Sequence, residues 1–446
     1  MIHGSRKSRI LSGISANVYA QIVTIGVQLA GVPLLLHHWG VQYYGEWLLM
    51  FSIPSYLGMS DLGLGTVATT EMSLSIARKD YQRAGQVFRG AYFFITSVGL
   101  AVCGLFVASV WLLPYHDWLN LQLVQPGELQ WAITLLTTYV FFAISLTLLL
   151  GAYRTIGRYA RGQVISNTFR IMEFAAMLGV VIWGAGIVAA AAAFLIVRVC
   201  YFFFVLQDIR SKAVWLKLGK FSWEWPVLRP LLSPSLSMMT VYMGQTFVTQ
   251  GLVTMVGVVL GASSLVLFST VRTLCNFAKQ LIGIVNLSVF SEYAISIGNQ
   301  DIGAARRLHT RSVQVNVVLT MVSIVGLKVA GPFVLDLWTK GKVEAVEPFF
   351  TLYLVYILVN SMWLGSWNML LGCNQHQSIT RVYLFTSLLV IISAFIGIGR
   401  FGISIVPVAM ILSDAIFSAF VLKKSREVLQ QHMPEFLRQA LSRPTL

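Results

Sequence analysis

The residues LSGISANVYAQIVTIGVQLAGVPLLL, positions 11–36, form an apolar run long enough to cross a bilayer as a helix. A hydrocarbon core of about 30 Å needs about 20 predominantly apolar residues in helical form. Arg6, Lys7 and Arg9 precede the run, as basic residues do in a signal peptide. The run continues to Leu36 without a small-residue cleavage site, so we interpret it as a retained first transmembrane helix.

Similar apolar runs follow along the whole chain. The same length criterion predicts twelve spans, near 11–36, 43–72, 86–113, 130–152, 163–183, 187–207, 230–259, 263–290, 312–333, 347–371, 380–398 and 402–422. The composition agrees, because 57% of the residues are hydrophobic and 11% are charged, whereas soluble domains carry about 25% charged residues. The mean hydropathy is +0.74. We therefore predict an all-α integral membrane protein.

Lysine and arginine residues fall mainly on one side of the predicted membrane. The net charge of +15 would indicate a nucleic-acid partner in a soluble protein, but in a membrane protein such an excess marks the cytoplasmic loops. The span order places Lys340, Lys342 and Arg400 on the opposite side. We expect no nucleic-acid partner, a multi-pass protein of the bacterial inner membrane, and both termini in the cytoplasm.

The two halves of the chain match at a constant offset of 221 residues. The matched pairs are Leu11-Ser12 with Leu232-Ser233, Gly40 with Gly261, Glu71 with Glu292, Asp80 with Asp301, and Leu149-Leu150-Gly151 with Leu370-Leu371-Gly372. Six spans in each half give the halves the same orientation, so we expect two lobes related by an axis along the membrane normal, with the substrate path at their interface. The predicted domains are a six-helix lobe 1–207, a cytoplasmic linker 208–229, a six-helix lobe 230–422 and a basic cytoplasmic tail 423–446.

Polar residues inside the spans mark the candidate site, because an ionised side chain there costs about 2.5 kcal/mol or more. The eighth span carries a stripe at spacings of 4, 3, 4 and 3, which lies on one helical face: Arg272, Asn276, Lys279, Gly283 and Asn286. Arg272 and Lys279 are suited to a phosphate or pyrophosphate. The alternative is that they pair with an intramembrane carboxylate such as Asp61 or Asp414.

Four further spans carry polar candidates. In the fifth span Arg170 lies three residues before Glu173, which favours a local salt bridge and makes Arg170 a weaker ligand candidate; Arg198 in the sixth span has no partner nearby in the sequence. The first span carries a polar stripe that suits either sugar hydroxyls or helix–helix hydrogen bonds: Asn17, Gln21, Thr24 and Gln28. The tenth span offers rings and an amide for sugars, or for packing: Tyr353, Tyr356, Asn360, Trp363 and Trp367.

Asp61 is predicted to lie deep in the membrane. It follows Trp47 by 14 residues, or about 21 Å along a helix at 1.5 Å per residue. At that depth it would bind a coupling proton or sodium ion, or neutralise Arg272 or Lys279. Pro54, Gly58, Gly63 and Gly65 surround it, so we expect the helix to bend there.

Two motifs carry a resemblance to a known family. Tyr44-Gly45-Glu46-Trp47 and Ser60-Asp61-Leu62-Gly63-Leu64-Gly65, followed by the basic pair Arg78-Lys79, resemble the polysaccharide (O-antigen type) flippases of the multidrug/oligosaccharidyl-lipid/polysaccharide (MOP) exporter superfamily. The resemblance extends over the chain as twelve spans in two lobes. It implies translocation of an undecaprenyl-pyrophosphate-linked oligosaccharide from the cytoplasmic to the periplasmic leaflet. It also implies cavity cations for the pyrophosphate, at Arg272 and Lys279, and contacts with other polysaccharide-assembly membrane proteins.

Other functions remain as alternatives. A cation-coupled multidrug (MATE-type) antiporter is favoured by Asp61 and Asp414 but opposed by the cationic stripe. A polymerase or glycosyltransferase would require an extramembrane loop with catalytic groups, and loops 114–129 and 334–346 carry no paired carboxylates. No phosphate-binding loop is present, and Cys103, Cys200, Cys275 and Cys373 lack metal-ligand spacing. We therefore expect a transporter without a metal or organic cofactor, driven by H⁺ or Na⁺ if it is coupled.

Overall fold

The computed structural model describes residues 6–213, 216, 224–298, 301–372 and 377–430. Within this range, side chains are not described for residues 6–11, for part of 281–298, or for 372, 377 and 378. The chain divides into two compact units, Met1–Tyr242 and Met243–Leu446.

The first unit is a helical bundle with α5 at its centre. Its elements are α1 (Arg6–Ser55), a 3₁₀ turn (Tyr56–Asp61), α2 (Leu64–Ala77), α3 (Tyr81–Leu112), α4 (Tyr115–Trp118), α5 (Pro126–Thr155), α6 (Tyr159–Ile182), α7 (Ile187–Lys212) and α8 (Trp225–Thr246), whose last residues belong to the second unit. Helix α5 contacts α1, α2, α3, α6 and α7. Leu149 and Tyr153 of α5 are completely buried, so apolar residues that predicted a span also form the core of this unit.

Helix α1 is two helices that meet at Gly40. This glycine has φ 72° and ψ 178°, a conformation that is essentially restricted to glycine because a Cβ would clash with the backbone. The kink falls between the predicted spans 11–36 and 43–72. A single residue without a side chain therefore sets the direction in which the second half of α1 leaves the first.

The predicted bend near Asp61 is present as a full interruption of the helix. The 3₁₀ turn ends at Asp61, Leu62 and Gly63 have φ values of 53° and 71°, and α2 begins at Leu64. The Asp61 carboxylate accepts a hydrogen bond from the Gly63 N–H at 2.9 Å. A Cβ on Gly63 would lie 2.8 Å from the Ser235 carbonyl oxygen, so both the backbone conformation and the approach of α8 require glycine here.

A buried carboxylate fastens the loop before α5 to the second half of α1. Glu46 is 1% exposed, and its two oxygens accept the backbone N–H groups of Gln122, Leu123 and Val124 at 2.9–3.2 Å. The neighbouring Trp47 is also buried and stacks on Phe194, with ring centroids 6.1 Å apart. The Tyr-Gly-Glu-Trp motif therefore has a structural role, in which its acid organises a loop and its indole packs inside the unit.

The second unit repeats this plan. Its elements are a π-helical turn (Phe247–Gly251), α9 (Leu252–Leu260), α10 (Ala262–Gly298), α11 (Ile302–Thr339), α12 (Phe349–Gly372), α13 (Gln377–Phe401), a 3₁₀ turn (Gly402–Ser404) and α14 (Ile405–Leu429). Helix α12 packs on α10, α11 and α14, as α5 packs on its neighbours in the first unit. Phe349 and Phe350 at the start of α12 are completely buried.

The backbone at the repeat positions supports the internal duplication. Gly261 has φ 85° and ψ 171°, close to the values of Gly40. Asp80 and Asp301 have identical φ and ψ values of −86° and 76°, and each accepts a hydrogen bond from the backbone N–H three residues later, at 2.8 Å. Each aspartate thus caps the helix that follows it. Matched conformations at matched positions are difficult to explain by chance identities in an apolar chain.

Nine stretches among the described residues are long and apolar enough to cross a membrane. One of them, Ser12–Ala77, contains both the kink at Gly40 and the interruption at Asp61. The structure is thus that of an all-helical, multi-pass membrane protein, while the count of twelve spans stays a prediction. The lobe limits at 207 and 230 also stay predictions. Within the predicted linker, residues 214, 215 and 217–223 lie outside the described residues, as does the tail beyond Gln430.

Candidate functional site

A polar cavity of about 650 Å³ lies within the first unit, between α1, α5, α6 and α7. Its charged lining residues are Arg170, Glu173 and Arg198, and its polar lining includes Gln21 and Thr24. Ionised groups in a membrane protein face such cavities because water or a polar ligand can solvate them there. The cavity therefore collects residues from three spans that the sequence presented separately.

Glu173 pairs with Arg198, and the predicted local salt bridge from Arg170 is wrong. Arg198 Nε lies 2.7 Å from Glu173 Oε1, and Arg198 Nη2 donates to Glu173 Oε2 at 2.9 Å. Tyr139 of α5 donates its hydroxyl to Glu173 at 3.3 Å and receives a hydrogen bond from Arg198, whose guanidinium also lies over the Tyr139 ring. Packing of α7 on α5 and α6 brings Arg198 to Glu173, a contact that spacing along one helix does not reveal.

Arg170 is consequently available to the cavity. Its Nη1 donates to the Thr24 hydroxyl of α1 at 3.0 Å. A guanidinium has five N–H donors, so this bond leaves several for a ligand. Gln21 lines the same cavity, whereas Asn17 accepts a hydrogen bond from the Tyr159 hydroxyl at 3.0 Å. The first-span stripe is therefore divided between the cavity and helix–helix contact, and Gln28 also makes a contact with a neighbouring group.

A second cavity of about 280 Å³ adjoins the first. The two share Gln163 and Ser166 in their linings. Arg154 also lines the second cavity, with its guanidinium 5.4 Å from the centre of the Tyr159 ring. Taken together, the two cavities hold three arginines and one glutamate, for a net charge of +2. Arg154 and Tyr139 were missed as site residues because they are unremarkable in the sequence, and only the packing of α5 on α6 places them at a cavity.

The second unit has its own cavity, of about 370 Å³, which contains Lys279 and Asp414. Lys279 donates to the Tyr356 hydroxyl at 3.2 Å. Asp414 accepts from the Asn360 amide at 2.7 Å and from the Trp363 indole N–H at 3.1 Å. Six residues singled out from the sequence therefore meet in one cavity: Lys279, Gly283, Tyr356, Asn360, Trp363 and Asp414.

Arg272 and Asn276 of the eighth-span stripe do not line this cavity. Arg272 donates to the Thr249 carbonyl oxygen at 2.9 Å and lies over the Phe268 ring, 5.1 Å from its centre. Asn276 is half-buried on the same helix, and the side chain of Asn286 lies outside the described residues. Arg170 lines a polar cavity, whereas Arg272 is not among the residues that line the cavity of the second unit. The assignment of a pyrophosphate to this stripe stays a prediction.

Asp61 is half-buried beside the interruption in the helix. The estimate of its depth from Trp47 assumed a continuous helix and an interfacial indole, but the helix changes to 3₁₀ form at Tyr56 and Trp47 is 4% exposed. Asp61 remains a candidate for ion binding, with one oxygen engaged by the Gly63 N–H. Among the described residues, no group of three histidines, cysteines or acids is arranged to hold a metal ion.

Solved structures share this fold, although the sequence alone matches no family model and no curated protein sequence. Among solved structures, the chain is similar to an inward-facing multidrug resistance MATE family transporter of the MOP superfamily, at 13% identity over 93% of this chain and 94% of that one, with a TM-score of 0.73. A MATE structure in the bent conformation matches at 14% identity over 99% and 98%, with a TM-score of 0.65.

A third similar structure concerns the charge of the binding pocket. It is a MOP superfamily transporter from Pyrococcus furiosus, and the reverse polarity of its binding pocket is said to suggest a different function. It is 13% identical over 95% of each chain, with a TM-score of 0.61. Together these matches show that the chain has the fold of the MATE transporters of the MOP superfamily, as the sequence predicted.

Proposed function

We propose that the protein is a MOP-type transporter for an anionic, lipid-linked substrate, and that it flips undecaprenyl-pyrophosphate-linked oligosaccharide units from the cytoplasmic to the periplasmic leaflet for surface polysaccharide synthesis. The observation that carries the proposal is the net positive charge of the two adjoining cavities in the first unit. Arginine is suited to phosphate because its planar fork donates two parallel hydrogen bonds.

The contacts within the larger cavity assign distinct roles to its two arginines. Glu173 neutralises Arg198, and Tyr139 fixes the pair in place. Arg170 supplies the excess charge, and Thr24 orients it toward the cavity. A pyrophosphate bound there would receive charge-assisted hydrogen bonds from Arg170, with Gln163 and Ser166 as neutral donors.

A cation-coupled multidrug antiporter is the second candidate, and specific observations favour it. The similar structures include MATE multidrug resistance transporters, and Asp414 lines a cavity in the second unit. A lipophilic cation in the first unit would have to displace or neutralise the excess arginine charge. The charge of the pocket therefore discriminates between the two functions, and the Pyrococcus furiosus transporter is one in which that polarity is described as reversed.

Reconstitution of the purified protein into liposomes tests the proposal. The wild type should translocate a fluorescent undecaprenyl-pyrophosphate oligosaccharide, and Arg170→Ala should slow this by about tenfold or more, since hydrogen bonds to charged groups contribute about 1.5–3 kcal/mol each. Arg158→Ala is the matched control, because Arg158 is an exposed arginine at the start of the same helix. The Arg272→Ala/Lys279→Ala double variant tests the anion site predicted from the sequence.

Two outcomes would redirect the assignment. If the double variant loses transport and Arg170→Ala does not, the anion binds in the second unit. If the wild type moves no lipid-linked oligosaccharide but exports a cationic dye, the antiporter is the better account and Asp61 is the next residue to replace.

A further inference from the structure

The cavity in the second unit differs in chemistry from the cavities in the first. Its charged lining residues are one lysine, Lys279, and one carboxylate, Asp414, so the formal charge of the lining is zero. Arg272 is not a lining residue, but it donates to the carbonyl oxygen of Thr249, which is one. A lone anion would be repelled by Asp414, and a lone cation by Lys279. The charge balance therefore favours a neutral ligand or one that carries both signs.

The hydrogen bonds around Asp414 leave acceptor capacity in the cavity. Asn360 and Trp363 both donate to the same oxygen, Oδ2. The second carboxylate oxygen, Oδ1, keeps its lone pairs for donors on a ligand. Lys279 likewise uses one of its three ammonium hydrogens toward Tyr356.

The hydroxyl groups in the wall point to the same kind of ligand. Thr386 and Ser387 donate to the Tyr383 carbonyl, and Ser413 donates to the Thr386 carbonyl, at 2.7–3.1 Å. Because their hydrogens are engaged by the backbone, these hydroxyl groups can act toward a ligand only as acceptors. A ligand that satisfies several acceptors at once must carry many donors. Phosphate esters and tertiary or quaternary ammonium ions do not, whereas a polyhydroxyl compound does.

Aromatic rings complete the wall. Trp363 and Tyr383 line the cavity and pack with Phe417, at ring-centroid distances of 4.9 and 5.1 Å. Ring faces and edges offer apolar contact to the C–H face of a pyranose while hydroxyl groups bond around its rim. A volume of about 370 Å³ is at the lower end of the range for small-molecule sites, which suits one or two sugar rings rather than a whole oligosaccharide.

We propose that this cavity is a carbohydrate-binding site that recognises a neutral or zwitterionic sugar unit, with Asp414, Asn360 and Lys279 as its polar centre. The site deepens the proposed function, since a sugar-recognising pocket in one unit would complement an anion-binding cavity in the other. It concerns binding of the sugar alone, and it is measurable without any lipid or transport.

The test is a titration of the full-length, detergent-purified protein with methyl glycosides of glucose, galactose, mannose and N-acetylglucosamine, followed by tryptophan fluorescence. At least one glycoside should bind saturably, and Trp363→Phe should remove most of the signal. Asn360→Leu should weaken binding by about tenfold or more, because it removes a direct amide partner and a donor to Asp414. Asn368→Leu is the matched control, since Asn368 lies on the same helix and donates to the Leu364 carbonyl.

A milder pair of variants guards against misfolding. Ser387→Ala removes one cavity acceptor, whereas Ser393→Ala removes an equivalent hydroxyl on the same helix that donates to the Leu389 carbonyl. Three results would overturn the carbohydrate site. They are equal affinity in both members of each pair, the absence of saturable binding by every glycoside, and displacement of the sugar by inorganic pyrophosphate or tetraphenylphosphonium. Sugar binding without lipid transport would instead overturn the flippase and leave this site in place.

Discussion

Replacement of Glu46 should loosen the loop before α5. In Glu46→Ala the N–H groups of Gln122, Leu123 and Val124 lose their common acceptor. Gln122 and Leu123 are exposed, so water can replace the carboxylate at about 0.5–1 kcal/mol each, whereas the N–H of the buried Val124 is left unsatisfied at about 1–3 kcal/mol. The expected loss in the free energy of unfolding is therefore about 3 kcal/mol.

The measurement is the midpoint of thermal unfolding in detergent micelles, combined with the rate of limited proteolysis within residues 119–125. Glu128→Ala is the control, because Glu128 lies in the first turn of α5, directly after the loop, and accepts one exposed N–H, that of Gln125, at 3.2 Å. We expect it to cost about 0.5 kcal/mol. If Glu46→Ala is no more destabilising than Glu128→Ala, the reasoning fails. The loop would then be held by its buried side chains, such as Leu121 and Val124.

Two further predictions concern stability. Gly40→Ala and Gly261→Ala should each lower the unfolding midpoint, with a cost of about 1–3 kcal/mol from the unfavourable backbone conformation. Gly104→Ala is the control, because Gly104 lies in helix α3 with open space around it, and this variant should be neutral or slightly stabilising. Equal midpoints for all three variants would contradict this. Glu173→Ala should cost about 3 kcal/mol because it removes a buried carboxylate and leaves the half-buried Arg198 without its ion-pair partner. The Glu173→Ala/Arg198→Ala double variant should be less destabilised than the sum of the single variants, and simple additivity would show that the two side chains do not interact.

Much of the fold was predictable because it depends on patterns within single segments. Apolar runs gave the helices, and the offset of 221 residues paired Gly40 with Gly261 and Asp80 with Asp301. The interruption near Asp61 followed from the density of glycine and proline around it. Each of these signals concerns neighbours in the sequence or residues that need a particular backbone conformation, and both kinds are visible without tertiary structure.

The site was predicted less well because its contacts join separate helices. The spacing of Arg170 and Glu173 permits a salt bridge, but Arg198 reaches Glu173 from α7 with one hydrogen bond, a second close ion-pair contact and a supporting tyrosine. Spacing on α10 placed Arg272 and Lys279 on one face, yet Thr249 holds Arg272 while Lys279 faces a cavity. Periodicity determines which residues share a face, whereas the neighbouring helices determine what that face meets.

The duplicated scaffold carries different chemistry in its two units. At the offset of 221 residues, charged positions of one cavity correspond to small or apolar residues in the other: Glu173 to Ala394, Arg198 to Ala419, Arg170 to Ile391, Asp414 to Ala193 and Lys279 to Gly58. The residues that set the backbone were kept in both copies, while the charges were not. If both copies bound the same group, the charges would be expected at equivalent positions. Their exchange for alanine, glycine and isoleucine instead favours two sites with different ligands, an anion in the first unit and a sugar in the second.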